Sequence, residues 1–146
     1  MAGARVSGRR VYLSGPLTGI DSWNAKSFAM AHGLVKTLGA RWVFDPSTAY
    51  VNWEGDQPSL GHEGFMRLDL HELTKSVGPW PGSNYYDLLL HLPGWMESDG
   101  CQRETLVAMA CGIEVAELWE VELPCHGLPE LERFLQCDIG KEAWDA

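Results

Sequence analysis

The segment Asp87-Leu88-Leu89-Leu90-His91-Leu92-Pro93-Gly94-Trp95-Met96-Glu97-Ser98-Asp99-Gly100-Cys101-Gln102-Arg103-Glu104-Thr105-Leu106-Val107-Ala108-Met109-Ala110-Cys111-Gly112 decides the fold. It reads as a buried strand, a polar turn and a helix. The strand is the apolar run Leu88 to Leu92, closed by Pro93-Gly94. Glu97, Ser98, Asp99 and Gly100 make the turn. Leu106, Val107, Met109 and Ala110 give the helix its apolar residues, and Gly112 is its expected stop. Glu104 falls in about the first turn of that helix, where the positive end of the helix dipole favours the ionised carboxylate. A charged carboxylate at the C-terminal edge of a sheet can act as a nucleophile, for instance at a sugar anomeric carbon.

The flanking segments supply the rest of a sheet. Arg10 to Ser14 is a short β-rich run that empties into Gly15-Pro16-Leu17-Thr18-Gly19. Asp21 or Ser22 can cap a helix running from about Trp23 to Leu38, which Gly39 ends. Trp42 to Phe44 is a second strand, stopped by Asp45-Pro46. Ser47 to Gly61 reads as a long loop serving as a lid or substrate-binding segment, or as a plain surface excursion. His62 to Ser76 reads as a helix with Asp69 beside its apolar face, and Val77 to Ser83 as an inserted loop. Ile113 to Val121 reads as a last strand, and Leu128 to Gln136 as a short terminal helix with Pro129 in its first turn. Strands alternating with helices call for a three-layer, doubly wound, mainly parallel sheet of four to five strands, flavodoxin- or Rossmann-like. One domain spans residues 1–146, with a core of about 9–123 and a C-terminal extension over 124–146. Ligands of such sheets lie beyond the carboxyl ends of the strands, so the turns at 14–19, 45–47 and 97–100 should meet there.

Composition narrows the partners. The chain has 146 residues, 45% of them apolar, and a net charge of −9. A surface that acidic disfavours nucleic acid and anionic membranes, yet leaves room for a small nucleotide at a local anion site. No apolar run reaches the ~20 residues of a bilayer span, and no signal peptide is evident, so a cytoplasmic location is expected. Cys101, Cys111, Cys125 and Cys137 lack metal or redox spacing and read as reduced thiols. His32, His62, His71, His91 and His126 show no ligand spacing, so no metal is expected. There is no phosphate-binding or dinucleotide glycine motif, so no organic cofactor is expected.

Four pieces then stand together: Tyr12-Leu13-Ser14-Gly15-Pro16-Leu17-Thr18-Gly19, Asp69, Asp87 with its strand, and Ser98-x-Gly100-x-x-x-Glu104. Over roughly Val11 to Val115 this pattern resembles the nucleoside 2-deoxyribosyltransferase superfamily, which includes nucleotide N-glycosidases, and within it a short uncharacterised phage and bacterial branch. The insertion around Gly78 to Asn84 departs from that pattern. The resemblance implies cleavage or transfer at the N-glycosidic bond of a nucleoside or nucleoside 5′-monophosphate, through a sugar ester on Glu104. It implies that Asp69 assists and Tyr12 orients the carboxylate. Ser14, Gly15, Thr18, Gly19, Asp87, Ser98 and Gly100 are implied to bind substrate. It further implies a homodimer or higher homo-oligomer.

Plainer readings exist for each residue. Glu104 can be a helix N-terminal carboxylate, Tyr12 core, Asp87 a strand-start residue, and Ser98 with Gly100 a cap and a turn. The first loop lacks basic residues, leaving Arg67 and Arg103 as the nearby cations and nucleoside against nucleotide open. The same cleft could bind or sense a nucleotide without cleaving it. Trp53, Trp80 and Trp95 fall in loops, where they can stack on a base or fill a subunit interface.

Overall fold

The computed structural model describes residues 3–16, 22–49 and 57–122. Five buried residues in a row cannot leave one face in water, and the four leucines Leu88, Leu89, Leu90 and Leu92 are buried together with His91. Four of them form β5 (Leu88–His91), a central strand. Its neighbours are β1 (Arg10–Ser14) and β6 (Glu114–Glu117); β2 (Trp42–Phe44) flanks β1. The order is β2-β1-β5-β6, and every pair is parallel. Parallel pairing requires a crossover between strands. These are α1 (Ser22–Thr37), α3 (Gln57–Leu73) and α4 (Asp99–Ala110); a short α2 (Pro46–Ala49) follows β2. The expected doubly wound α/β sheet is present, with four strands.

The two-residue side-chain period of a strand sorts the core into two layers. Val11 and Leu13 of β1 and Leu88 and Leu90 of β5 pack with Phe28, Ala31, Leu34 and Val35 of α1. Tyr12 and Leu89 point the other way, with Phe44, Leu73, Tyr86 and Ala108. Burying each large apolar side chain contributes about 1.5–3 kcal/mol.

The C-terminus of α4 is built as its sequence suggests. Gly112 has a left-handed φ of 76°. Its N–H donates to the Met109 carbonyl (3.1 Å) and that of Ile113 to the Ala108 carbonyl (2.9 Å), which satisfies two carbonyls at the helix end.

Three boundaries differ from expectation. The supposed long loop is in part helical: α2 occupies 46–49, and α3 begins at Gln57 with a kink at Gly61 (φ 60°). The positive φ of Gly61 explains why a helical period cannot be followed through it. The insertion after α3 is ordered as a hairpin, β3 (Ser76–Val77) with β4 (Ser83–Asn84); two-residue strands carry too little alternation to be read. The last strand ends at Glu117 and passes into a tight turn, Leu118–Glu120. The proposed helix at 128–136 and the tail lie outside the described residues. No helix among the described residues is long and apolar enough to cross a membrane.

Leu90 is fully buried in the central strand. Leu90→Ala should lower unfolding free energy by about 2–5 kcal/mol, measured by urea denaturation. A loss below about 1 kcal/mol would contradict the packing described.

Candidate active site

Chain order and strand order reverse between β1 and β5: the chain goes from β1 outward to β2, then returns across β1 to β5. At such a switch point the loops part and leave a crevice over the carboxyl ends of the strands. The alternation places Tyr12 and Ser14 of β1 on the face covered by α3 and α4. Their register partners on β5 are Leu89 and His91. The α4 helix lays Cys101, Glu104 and Ala108 inward, consistent with the three- and four-residue spacing of one helix face.

Glu104 therefore meets the end of β1. Ser14 Oγ donates to Glu104 Oε1 at 3.1 Å, and Tyr12 Oη donates to Oε2 in a short contact. Tyr12 Oη also lies 3.4 Å from the Asp69 carbonyl oxygen. The tyrosine ring cannot drift. It stacks on Phe44 at 4.8 Å and meets Tyr86 edge-on at 5.5 Å. Ser14, Asp69 and Glu104 are all buried.

Electrostatics here differ from the expectation. Glu104 is the sixth residue of α4, past the first turn, where the dipole effect has faded. Burial dominates and pushes its carboxyl up to about 8, opposed by the Tyr12 hydrogen bond; the Asp69 charge raises it further and Ser14 lowers it. Burial thus favours the protonated form of this carboxyl well above the usual carboxylate range. The Cys101 thiol is also raised, first by burial, with Ser14 and Ser98 pulling it down.

The other expected residues separate into two groups. Asp69 joins the cluster from α3. Gly15 closes β1 tightly: a Cβ there would lie 3.0 Å from both Leu92 Cβ and Phe28 Cζ. Ser98 is the cap of α4, its hydroxyl accepting from the Cys101 N–H at 3.3 Å. Gly100 lets α3 approach, since its Cβ would sit 3.2 Å from Met66 Sδ. Asp87 is elsewhere. It precedes β5, at the opposite edge of the sheet, where Oδ2 accepts from the Arg10 N–H at 2.9 Å and its carbonyl from Arg9 Nη2 at 2.9 Å. It ties strand starts together and does not reach the Glu104 cluster. Arg67 is exposed, and so is Arg103, which pairs with Asp99 at 2.8 Å beside His62. Thr18, Gly19 and Trp53 lie outside the described residues.

Two residues of this region escape a motif-based reading. His91 stacks flat on Trp95, with ring centres 3.6 Å apart, and its Nε2 lies 2.7 Å from Thr105 Oγ1. Thr105 Oγ1 donates to the Cys101 carbonyl at 2.7 Å, so His91 Nε2 carries a proton and donates to Thr105. Burial lowers the His91 pKa to about 4 against the pull of Glu117, keeping the ring neutral. Asp45, after β2, is buried, accepts from the Ser47 N–H (2.9 Å), and sits 3.0 Å from His32 Nδ1. Counting the two-residue period from Leu89 finds His91; Asp45 has only its position at a strand end. No group of three or more metal-binding side chains occurs among the described residues.

A group with a raised folded-state acid pKa favours folding while protonated in both states and loses that favour as pH rises. For Glu104 the penalty starts near the unfolded value of 4.5 and is complete above about 8. Glu104→Gln, an isostere that never ionises, should therefore gain Tm relative to wild type as pH goes from 5 to 8.5. A difference that stays flat in thermal melts, or shrinks, would show that the carboxyl is not buried as described.

Comparison with known proteins places this site within a recognised family. No curated protein matches the chain. A family model, described as a domain of unknown function (DUF4406), matches residues 9–117, from the start of β1 to the end of β6. That span is well over half of the sequence and contains Tyr12, Ser14, Asp69 and Glu104, so the chain belongs to the DUF4406 family.

Proposed function

We propose that the protein cleaves, or transfers at, the N-glycosidic bond of a nucleoside or nucleoside 5′-monophosphate, with Glu104 as nucleophile. One observation carries this reading. A single carboxyl is held by two hydroxyls, Ser14 on Oε1 and Tyr12 on Oε2, at the carboxyl edge of β1. The likeness to nucleoside 2-deoxyribosyltransferases adds to it, because Tyr12, Asp69 and Glu104 fall on that group's pattern.

The chemistry is a double displacement. A Glu104 oxygen forms a bond to C1′ while the C1′–N bond breaks, and the base leaves with the bonding pair and takes a proton from water. Water, or a second base, then attacks C1′, gives up its proton to the hydroxide formed in the first step, and releases Glu104 as the carboxylate. A poorly solvated carboxylate is costly in the empty site. It is repaid when positive charge develops at C1′, so the interaction is stronger in the transition state than before it. Tyr12 orients the oxygens, and Asp69 places the sugar or base.

A second reading has one observation in its favour: the same burial raises the Glu104 pKa and favours its neutral form. A neutral acid with two hydroxyl partners suits a cleft that binds a nucleotide without breaking it.

The two readings separate on a panel of nucleosides and 5′-monophosphates. Turnover predicts free base, detected by chromatography, and a protein mass increased by one sugar residue on Glu104 when a 2-fluoro-substituted nucleoside is used as trap. Glu104→Ala should lower base release at least 10³-fold. Below about pH 8 the rate should rise tenfold per pH unit, following ionised Glu104, then level off. Tyr12→Phe removes a contact that lowers the Glu104 pKa, so this limb should move to higher pH. Thermal stabilisation by a panel member with no base released would establish binding alone. Unchanged activity in Glu104→Ala would remove Glu104 from the chemistry.

A further inference from the structure

A second hollow lies at the carboxyl edge of the sheet, over β5 and β6. It measures about 510 Å³, and its walls are residues 91–97 at the end of β5 and 117–119 at the end of β6. Small-molecule sites typically enclose about 300–1,000 Å³. None of Tyr12, Ser14, Asp69 or Glu104 lines it. Ser14, His91 and Glu117 are register partners on three successive strands, so β6 lies two strand spacings, roughly 10 Å, from β1.

The wall of this hollow is fixed by its own contacts. His91 Nε2 is held by Thr105, and the His91 ring stacks on Trp95 at 3.6 Å. Trp95 Nε1 donates to Glu117 Oε1 at 2.9 Å. Glu117 is held in turn by a reciprocal cap: its N–H donates to Glu120 Oε1 at 2.9 Å, and its side chain accepts from the Glu120 N–H. The glycosidase chemistry uses none of these contacts. A preformed wall spares a ligand the cost of ordering it.

We infer that this hollow binds a small organic ammonium ion. Aromatic surface and charge together select that class. Trp95 lines the hollow with the ring surface that His91 leaves uncovered, and Trp119, on the other wall, is 61% exposed. Indole faces attract cations, most strongly where water is excluded. Glu97 and Glu117 stand in the same walls, and among the described lining residues there is no Lys or Arg. The remaining titratable wall residue, His91, is kept neutral by burial, its pKa lowered to about 4. An anion would meet two carboxylates without a counter-charge. A neutral ring would desolvate them without pairing them. A bare metal ion finds too few ligands, since no group of three or more metal-binding side chains occurs among the described residues. An alkylammonium meets both demands: its charge faces Glu97 and Glu117, and its methyl groups lie against the indoles.

The test needs no nucleoside, so its outcome is independent of the glycosidase reading. Full-length protein titrated calorimetrically with tetramethylammonium or choline should show saturable binding, with Kd of about 1 mM or tighter. The alcohol 3,3-dimethylbutan-1-ol has the shape of choline without its charge, and should bind about tenfold more weakly or worse. Trp119→Ala and Glu97→Gln should each weaken choline binding about tenfold; both side chains are exposed, and circular dichroism checks the fold. Glu104→Gln should bind choline as wild type does. Absence of saturable binding up to about 50 mM overturns the inference. So does equal affinity for the alcohol, a loss of binding in Glu104→Gln, or indifference to both Trp119→Ala and Glu97→Gln.

Discussion

A carboxyl group taken out of water must be given partners or give up its charge, and most of the chemistry in this fold follows from that constraint at Glu104. Two hydroxyls from alternate positions of one strand serve its two oxygens. Their service requires the strand to be fixed in depth, and β1 is fixed by parallel partners on both sides. It requires the Tyr12 ring to be immobile, and Phe44 and Tyr86 wall it in. It also requires α4 to start at a set place, which the Ser98 cap and the close approach at Gly100 provide. The carboxyl remains short of solvation even so, and its raised pKa records the deficit.

The sheet explains why the deficit arises where it does. Over the middle of a doubly wound sheet, side chains are packed by helices on both faces. Only at the carboxyl edge between β1 and β5 do the connections diverge. Ser14 and His91 are register partners at that edge, and each hands its polar atom to a neighbouring residue of α4, Glu104 and Thr105. Adjacent helix positions point about 100° apart, so one reaches back over β1 while the other stays over β5 and the Trp95 turn. His91 is thereby a neutral, stacked wall of the edge, distinct from the acid beside it.

Much of this was legible in the sequence, for identifiable reasons. The run Leu88 to Leu92 is long enough and apolar enough to announce a strand covered on both faces. Gly112 marks a helix end that only a positive φ completes. Tyr12, Asp69 and Glu104 were picked out by pattern, and all three come together. Asp87 was not resolved by pattern, because a strand-start aspartate and a strand-end aspartate look alike until the direction of the strand relative to the site is known. The state of Glu104 was hidden too. Helix position can be counted along a chain, but burial depends on what α3 and β1 bring from 35 and 90 residues away. The kink at Gly61 and the two-residue strands of the hairpin are too short-ranged to leave a periodic trace.

One further consequence concerns α4 as a length of chain. Its inner side carries Cys101, Glu104 and Ala108, and its outer side Leu106 and Met109. Both ends are pinned, by the Ser98 hydroxyl and by the turn at Gly112. Adding or removing one residue between them would rotate everything downstream by about 100°, swinging the acid away from Tyr12 and Ser14 and an apolar side chain toward them. Evolution can repaint the outer face of this segment one letter at a time, but it cannot alter the number of letters without losing both faces together.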